Sequence, residues 1–98
     1  MNPTDEGIMN LIVREVHGVA AGFDVYDIRT NPEEPLSIFG IEEKDLTELS
    51  DGIASLLRSF FDVEIPPLQI TLNMCIFDIY VLIEEKLKDL GVDVKENG

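Results

Sequence analysis

Apolar residues recur along this chain at spacings of three and four, which is the period of a helix with one buried face. From Thr4 to Gly22 the sequence places Ile8, Leu11, Ile12, Val16 and Val19 on such a stripe. Thr4 has the side chain of an N-cap, and Asp5 and Glu6 follow where acids favour a helix N-terminus. Gly22 reads as the stop. Gly7 and Gly18 each weaken this helix by about 1 kcal/mol relative to alanine. A second stripe runs from Glu43 to Phe61 through Leu46, Leu49, Ile53, Leu56, Leu57, Phe60 and Phe61, with Glu48, Asp51 and Arg58 on the other face. The run Asp62-Val63-Glu64-Ile65-Pro66-Pro67 ends it, because proline cannot continue a helix and extends its predecessor. Leu68 to Leu72 leave room for one short helical turn. A third stripe begins at a cap on Thr71 or Asn73 and reaches Leu90, with Gly91 as its C-cap and Glu84 and Lys88 as a favourable pair four apart.

Between the first two stripes lies a connection from Phe23 to Ile41. Pro32 and Pro35 break helix there, yet Val25, Ile28, Leu36, Ile38 and Phe39 are too many apolar anchors for a free linker. A connection this long is uncommon and is functional or demanded by topology. The pattern therefore predicts an all-α chain, a three-to-four-helix bundle with one long ordered loop between the first two major helices. Its expected core is Leu11, Ile12, Val16, Leu36, Phe39, Leu49, Ile53, Leu57, Phe61, Ile65, Ile76, Ile79, Tyr80 and Ile83. Residues 1–98 make one domain, with 91–98 expected as a frayed tail.

Charge narrows the partners. Twenty Asp and Glu face seven Lys and Arg, for a formal net charge of -13. Nucleic acid repels such a chain, and so does an anionic membrane surface. A protein with a basic patch is attracted. No apolar run reaches the roughly 20 residues that span a bilayer, so no membrane insertion is expected. The start of the chain shows no basic-then-apolar leader, and the expected location is cytoplasmic, with the protein as a monomer.

The residues that carry chemistry are few. His17 has no second ligand at metal spacing, and Cys75, beside Ile76 and Phe77, reads as a buried inert thiol. Asp24, Asp27 and Asn31 are loosely spaced like ligands but lack the rest of a calcium loop. Glycine-rich phosphate loops, nucleophile elbows and paired metal motifs are missing from the sequence. Enzyme activity is the least supported class, because converging polar groups are not in evidence.

The order of elements, together with Glu34-Pro35-Leu36-Ser37-Ile38-Phe39-Gly40-Ile41, Phe61-Asp62-Val63-Glu64-Ile65-Pro66 and the run Ile70 to Tyr80, resembles the acyl carrier protein family over nearly the whole chain. The resemblance implies a bundle of acyl-carrier-protein type. It also implies a site at the start of the second major helix, where the family attaches 4'-phosphopantetheine to the serine of an Asp-Ser-Leu motif. Here the stretch is Glu42-Glu43-Lys44-Asp45-Leu46-Thr47-Glu48-Leu49, without a serine. Aligning Leu46 with the motif's leucine puts Asp45 at the serine position. Counting back from Ile65-Pro66 puts Thr47 there. Asp45 has no hydroxyl, and the extra methyl of Thr47 crowds its oxygen. Ser50, the nearest serine, is expected to bond back to the preceding turn. The resemblance further implies a docking face for basic partners on Glu42, Glu43, Asp45, Glu48 and Asp51.

The reading that results is a carrier-like protein with no cofactor, acting as a protein-protein interaction module. One alternative is a working carrier in lipid, polyketide or peptide biosynthesis with 4'-phosphopantetheine on an unusual residue. Another is an unrelated acidic helical adaptor or immunity-type protein.

Overall fold

Thr4 caps the first helix as its hydroxyl predicts: Oγ1 accepts from the Gly7 N–H at 3.0 Å, and α1 runs Asp5–Val19. The computed structural model describes residues 3–95. Three further helices follow, α2 at Val25–Arg29, α3 at Leu46–Phe61 and α4 at Ile76–Asp89, with 3-10 turns at Leu36–Phe39 and Glu43–Asp45. There is no strand among the described residues. The chain is all-α, and α1 is its hub, packing against each of the other three helices.

The stripes close on one another. Ile8, Ile12 and Val16 of α1 meet Leu49, Ile53 and Leu57 of α3 and Ile76, Ile79, Ile83 and Leu87 of α4 in a single buried cluster. The long connection contributes Ile28, Leu36, Phe39 and Ile41 to it. Burial of such side chains, at about 25 cal/mol per Å² of apolar surface, is what holds the domain together. Phe61, Ile65 and Tyr80, expected inside, are half-buried at its margin, while Val25 and Ile38 of the connection face solvent.

Long-range hydrogen bonds set the element boundaries. Helix α1 stops before Gly22 because the Ala21 N–H donates to the Phe39 carbonyl at 3.0 Å, not to its own helix. Neither Thr71 nor Asn73 caps α4. The Leu72 and Met74 carbonyls accept from the Ser37 and Leu36 N–H groups, which holds that stretch outside the helix. Helix α4 starts at Cys75 instead, whose N–H donates to Asp78 Oδ2 at 3.1 Å. The short helical turn for which Leu68 to Leu72 leave room does not form there: residues 68–71 have no regular structure, a turn follows at Leu72 and Asn73, and Ser50 on α3 takes both backbone groups of Leu68.

At the other end of α4, Gly91 has φ 76, the Gly91 N–H donates to Lys88 and the Val92 N–H to Leu87. That is a Schellman cap, which glycine alone closes without strain. The tail expected to fray from there is held over its described part. The Asp5 N–H donates to the Lys95 carbonyl at 2.8 Å and the Lys95 N–H to the Pro3 carbonyl at 3.0 Å. Val92 and Val94 pack on the core margin beside this bridge. Of the segment assigned to the tail, 96–98 lies outside the described residues.

Candidate functional site

The start of α3 is built by a tight turn. Glu42 opens it, its N–H donating to Asp45 Oδ2 at 2.9 Å, and the Asp45 N–H donates to the Glu42 carbonyl. This reciprocal closure uses the Asp45 carboxylate as a local cap and leaves the residue half-buried. Asp45 therefore performs the structural task that a first-turn acid is suited to. Two residues on, Thr47 is exposed. It borders a shallow groove of about 250 Å³ between α3 and the segment after it, lined also by Leu46, Ser50, Asp51, Leu68 and Ile70.

Ser50 does not bond back to its own helix. Its hydroxyl accepts from the Leu68 N–H at 3.1 Å and donates to the Leu68 carbonyl at 3.4 Å. The Ser50 side chain is buried, and its hydroxyl both accepts from and donates to Leu68. A signal for this was present in the sequence: Ser50 falls on the apolar stripe four residues after Leu46 and three before Ile53.

The acids assigned to docking do gather at one end of α3. Glu42, Glu43, Glu48 and Asp51 are exposed and Asp45 is half-exposed. Lys44 pairs with Glu42 at 3.3 Å, and both side chains are well solvated, so the pair contributes little to stability. Five carboxylates against this one ammonium give the end of the helix a local charge of about -4. The positive end of the α3 dipole offsets part of their mutual repulsion. Further along, Arg58 reaches forward to Glu64 at 3.3 Å across the helix end, a pair the sequence reading did not anticipate.

The loop residues spaced like metal ligands serve local structure. Asp24 caps α2, accepting from the Asp27 N–H at 2.8 Å, and Asn31 Nδ2 donates to the Asp27 carbonyl at 2.8 Å. No cluster of three or more His, Cys, Asp or Glu among the described residues is arranged to hold a metal ion. Cys75, expected to be buried, is half-exposed at the head of α4, where it is the N-cap two to four residues after the caps expected at Asn73 or Thr71. His17 lies exposed in the last turn of α1. No helix among the described residues is long and apolar enough to cross a membrane. No protein-family model, curated protein or solved structure matches the chain.

Proposed function

We propose that this protein is a carrier-like interaction module that bears no pantetheine arm and docks basic partners through the acidic end of α3. The observation that carries the reading is the exposed group Glu42, Glu43, Glu48 and Asp51 around a helix start that offers no serine. Three elements support the carrier-like part: a long connection anchored by Leu36 and Phe39, an acidic helix after it, and a non-helical exit through Ile65-Pro66. The loss of the arm is supported by Asp45, whose carboxylate is committed to the turn, and by Ser50, which is buried. Complementary charge of this kind raises encounter rates and selects partners by sign.

The exposure of Thr47 on the first turn of α3 favours a second reading, a working carrier with the arm on that threonine. Incubation of the chain with a broad-specificity phosphopantetheinyl transferase and coenzyme A, followed by intact mass, separates the two. The proposed function predicts an unchanged mass. The gain of one arm establishes the second reading instead.

A further inference from the structure

Two large apolar side chains on the outer face of α4 face solvent one turn apart, Phe77 at 44% and Val81 at 47% exposure. Single exposed hydrophobics are ordinary. These two stand at helical spacing, and each borders a shallow trough. One trough, of about 490 Å³, lies between α4 and the first turns of α1, and Met9, Phe77 and Tyr80 form its apolar part. The other, of about 450 Å³, lies between α4 and the returning tail, with Val81, Val92 and Val94 as its apolar part.

Charge says what these troughs fit. Asp5 and Glu6 border the first, and Glu84, Glu85 and Asp93 the second. The bases among the lining residues are Arg29 and Lys88, and the Arg29 guanidinium already donates to Asn10 Oδ1 at 2.7 Å. Apolar residues bordered in each trough by more carboxylates than bases complement a segment with an apolar ridge and basic shoulders. A second copy of this chain is the wrong partner, since each carries a net charge of -13. A different apolar groove, formed by Leu11, Phe60 and Phe61 between α1 and α3, provides a contrast: Arg14 lines it and no acid does.

We infer that the outer face of α4, with the first turns of α1 and the returning tail, is a docking surface for a basic amphipathic helix of a protein partner. Its apolar residues, three and four apart, lie along Phe77 and Val81, and its Lys or Arg side chains meet the acids that border the two troughs. The surface shares no residue with the acidic end of α3 and does not depend on the carrier-like reading.

The test is an amide-shift titration of the ¹⁵N-labelled full chain with a synthetic Leu/Lys peptide whose leucines form one helical face. A peptide of the same composition with the leucines dispersed serves as control. The expected perturbations concentrate on residues 5–10, 77–88 and 92–94. Replacing Phe77→Ser and Val81→Ser together, both at solvent-facing positions, weakens binding about tenfold or more, while the dispersed peptide binds the wild-type chain comparably weakly. Perturbations centred on Glu42 to Asp51 or on Leu11 and Phe60, or equal affinity for the two peptides, overturn the inference. So does undiminished binding by the folded double variant. Sedimentation that shows a wild-type dimer dispersed by the double variant assigns the face to a second copy and overturns it as well.

Discussion

The Ser50 hydroxyl lies 3.1 Å from the Leu68 backbone nitrogen and 3.4 Å from its carbonyl oxygen, so one side chain of α3 satisfies both polar groups of a residue eighteen positions away. This contact fixes the segment after α3 against the helix and keeps Leu68 and Ile70 in the core. Ser50→Ala leaves a buried N–H and carbonyl without a partner, a loss of about 1–3 kcal/mol. Urea denaturation should show a lower midpoint at unchanged slope. A midpoint equal to wild type removes this contact from the list of what holds the fold.

Gly52 and Glu15 make a second close approach, between α3 and α1. A Cβ built on Gly52 overlaps the Glu15 carboxylate, whereas one built on Gly18 meets nothing within 4 Å. Gly18→Ala is therefore expected to stabilise by about 1 kcal/mol, the ordinary propensity gain. Gly52→Ala gains less, because the Glu15 side chain must move. In a Glu15→Ala background the full gain returns. A double-mutant cycle on denaturation midpoints measures the difference, and strict additivity contradicts the contact.

Among the residues with left-handed backbone are Asp62 at φ 55 and Gly40 at φ 75. Asp62 closes α3, its N–H donating to the Arg58 carbonyl at 3.1 Å. Asp62→Gly relieves the Cβ clash there and should raise stability by about 0.5–1 kcal/mol. At Gly40 the opposite holds, since an added Cβ meets the Ala21 Cβ at 3.0 Å as well as the strained φ. Gly40→Ala should cost about 1–2 kcal/mol. Thermal melts of the two variants should move in opposite directions.

The returning tail makes its own prediction. The Asp5 and Lys95 amides both donate within the bridge between the two ends of the chain, so each should exchange about tenfold or more slowly than an unstructured amide. Val94, half-buried beside the bridge, anchors it, and Val94→Asp should abolish that protection. Exchange of Lys95 at the unstructured rate in the wild-type chain contradicts a held tail.

Much of this architecture is legible in the sequence because a helix face is a local signal. Ile12 and Val16, Ile53 and Leu57, and Ile79 and Ile83 announce three helices by spacing alone, and all six are fully buried. What the spacing does not carry is the pairing of distant backbone groups. The Ala21–Phe39, Leu36–Met74 and Ser50–Leu68 hydrogen bonds shorten α1, delay α4 and tie down the segment between α3 and α4. None of them has a periodic signature. Helix α2 is five residues long, too short for a stripe to form. At the candidate site the sequence reveals the acids, but not that Asp45 is tied into its turn while Thr47 is left on the surface. That division depends on where the tight turn at Glu43–Asp45 gives way to α3.

The most direct test of the carrier-like reading removes the methyl that crowds the Thr47 hydroxyl. Thr47 is exposed on the first turn of α3, and Asp45 is half-buried and tied to Glu42. If α3 presents its start as a carrier does, Thr47→Ser should gain one phosphopantetheine arm from a broad-specificity transferase and coenzyme A, read by intact mass. The wild-type chain and Asp45→Ser should gain none. A folded Thr47→Ser protein whose mass does not change contradicts the account.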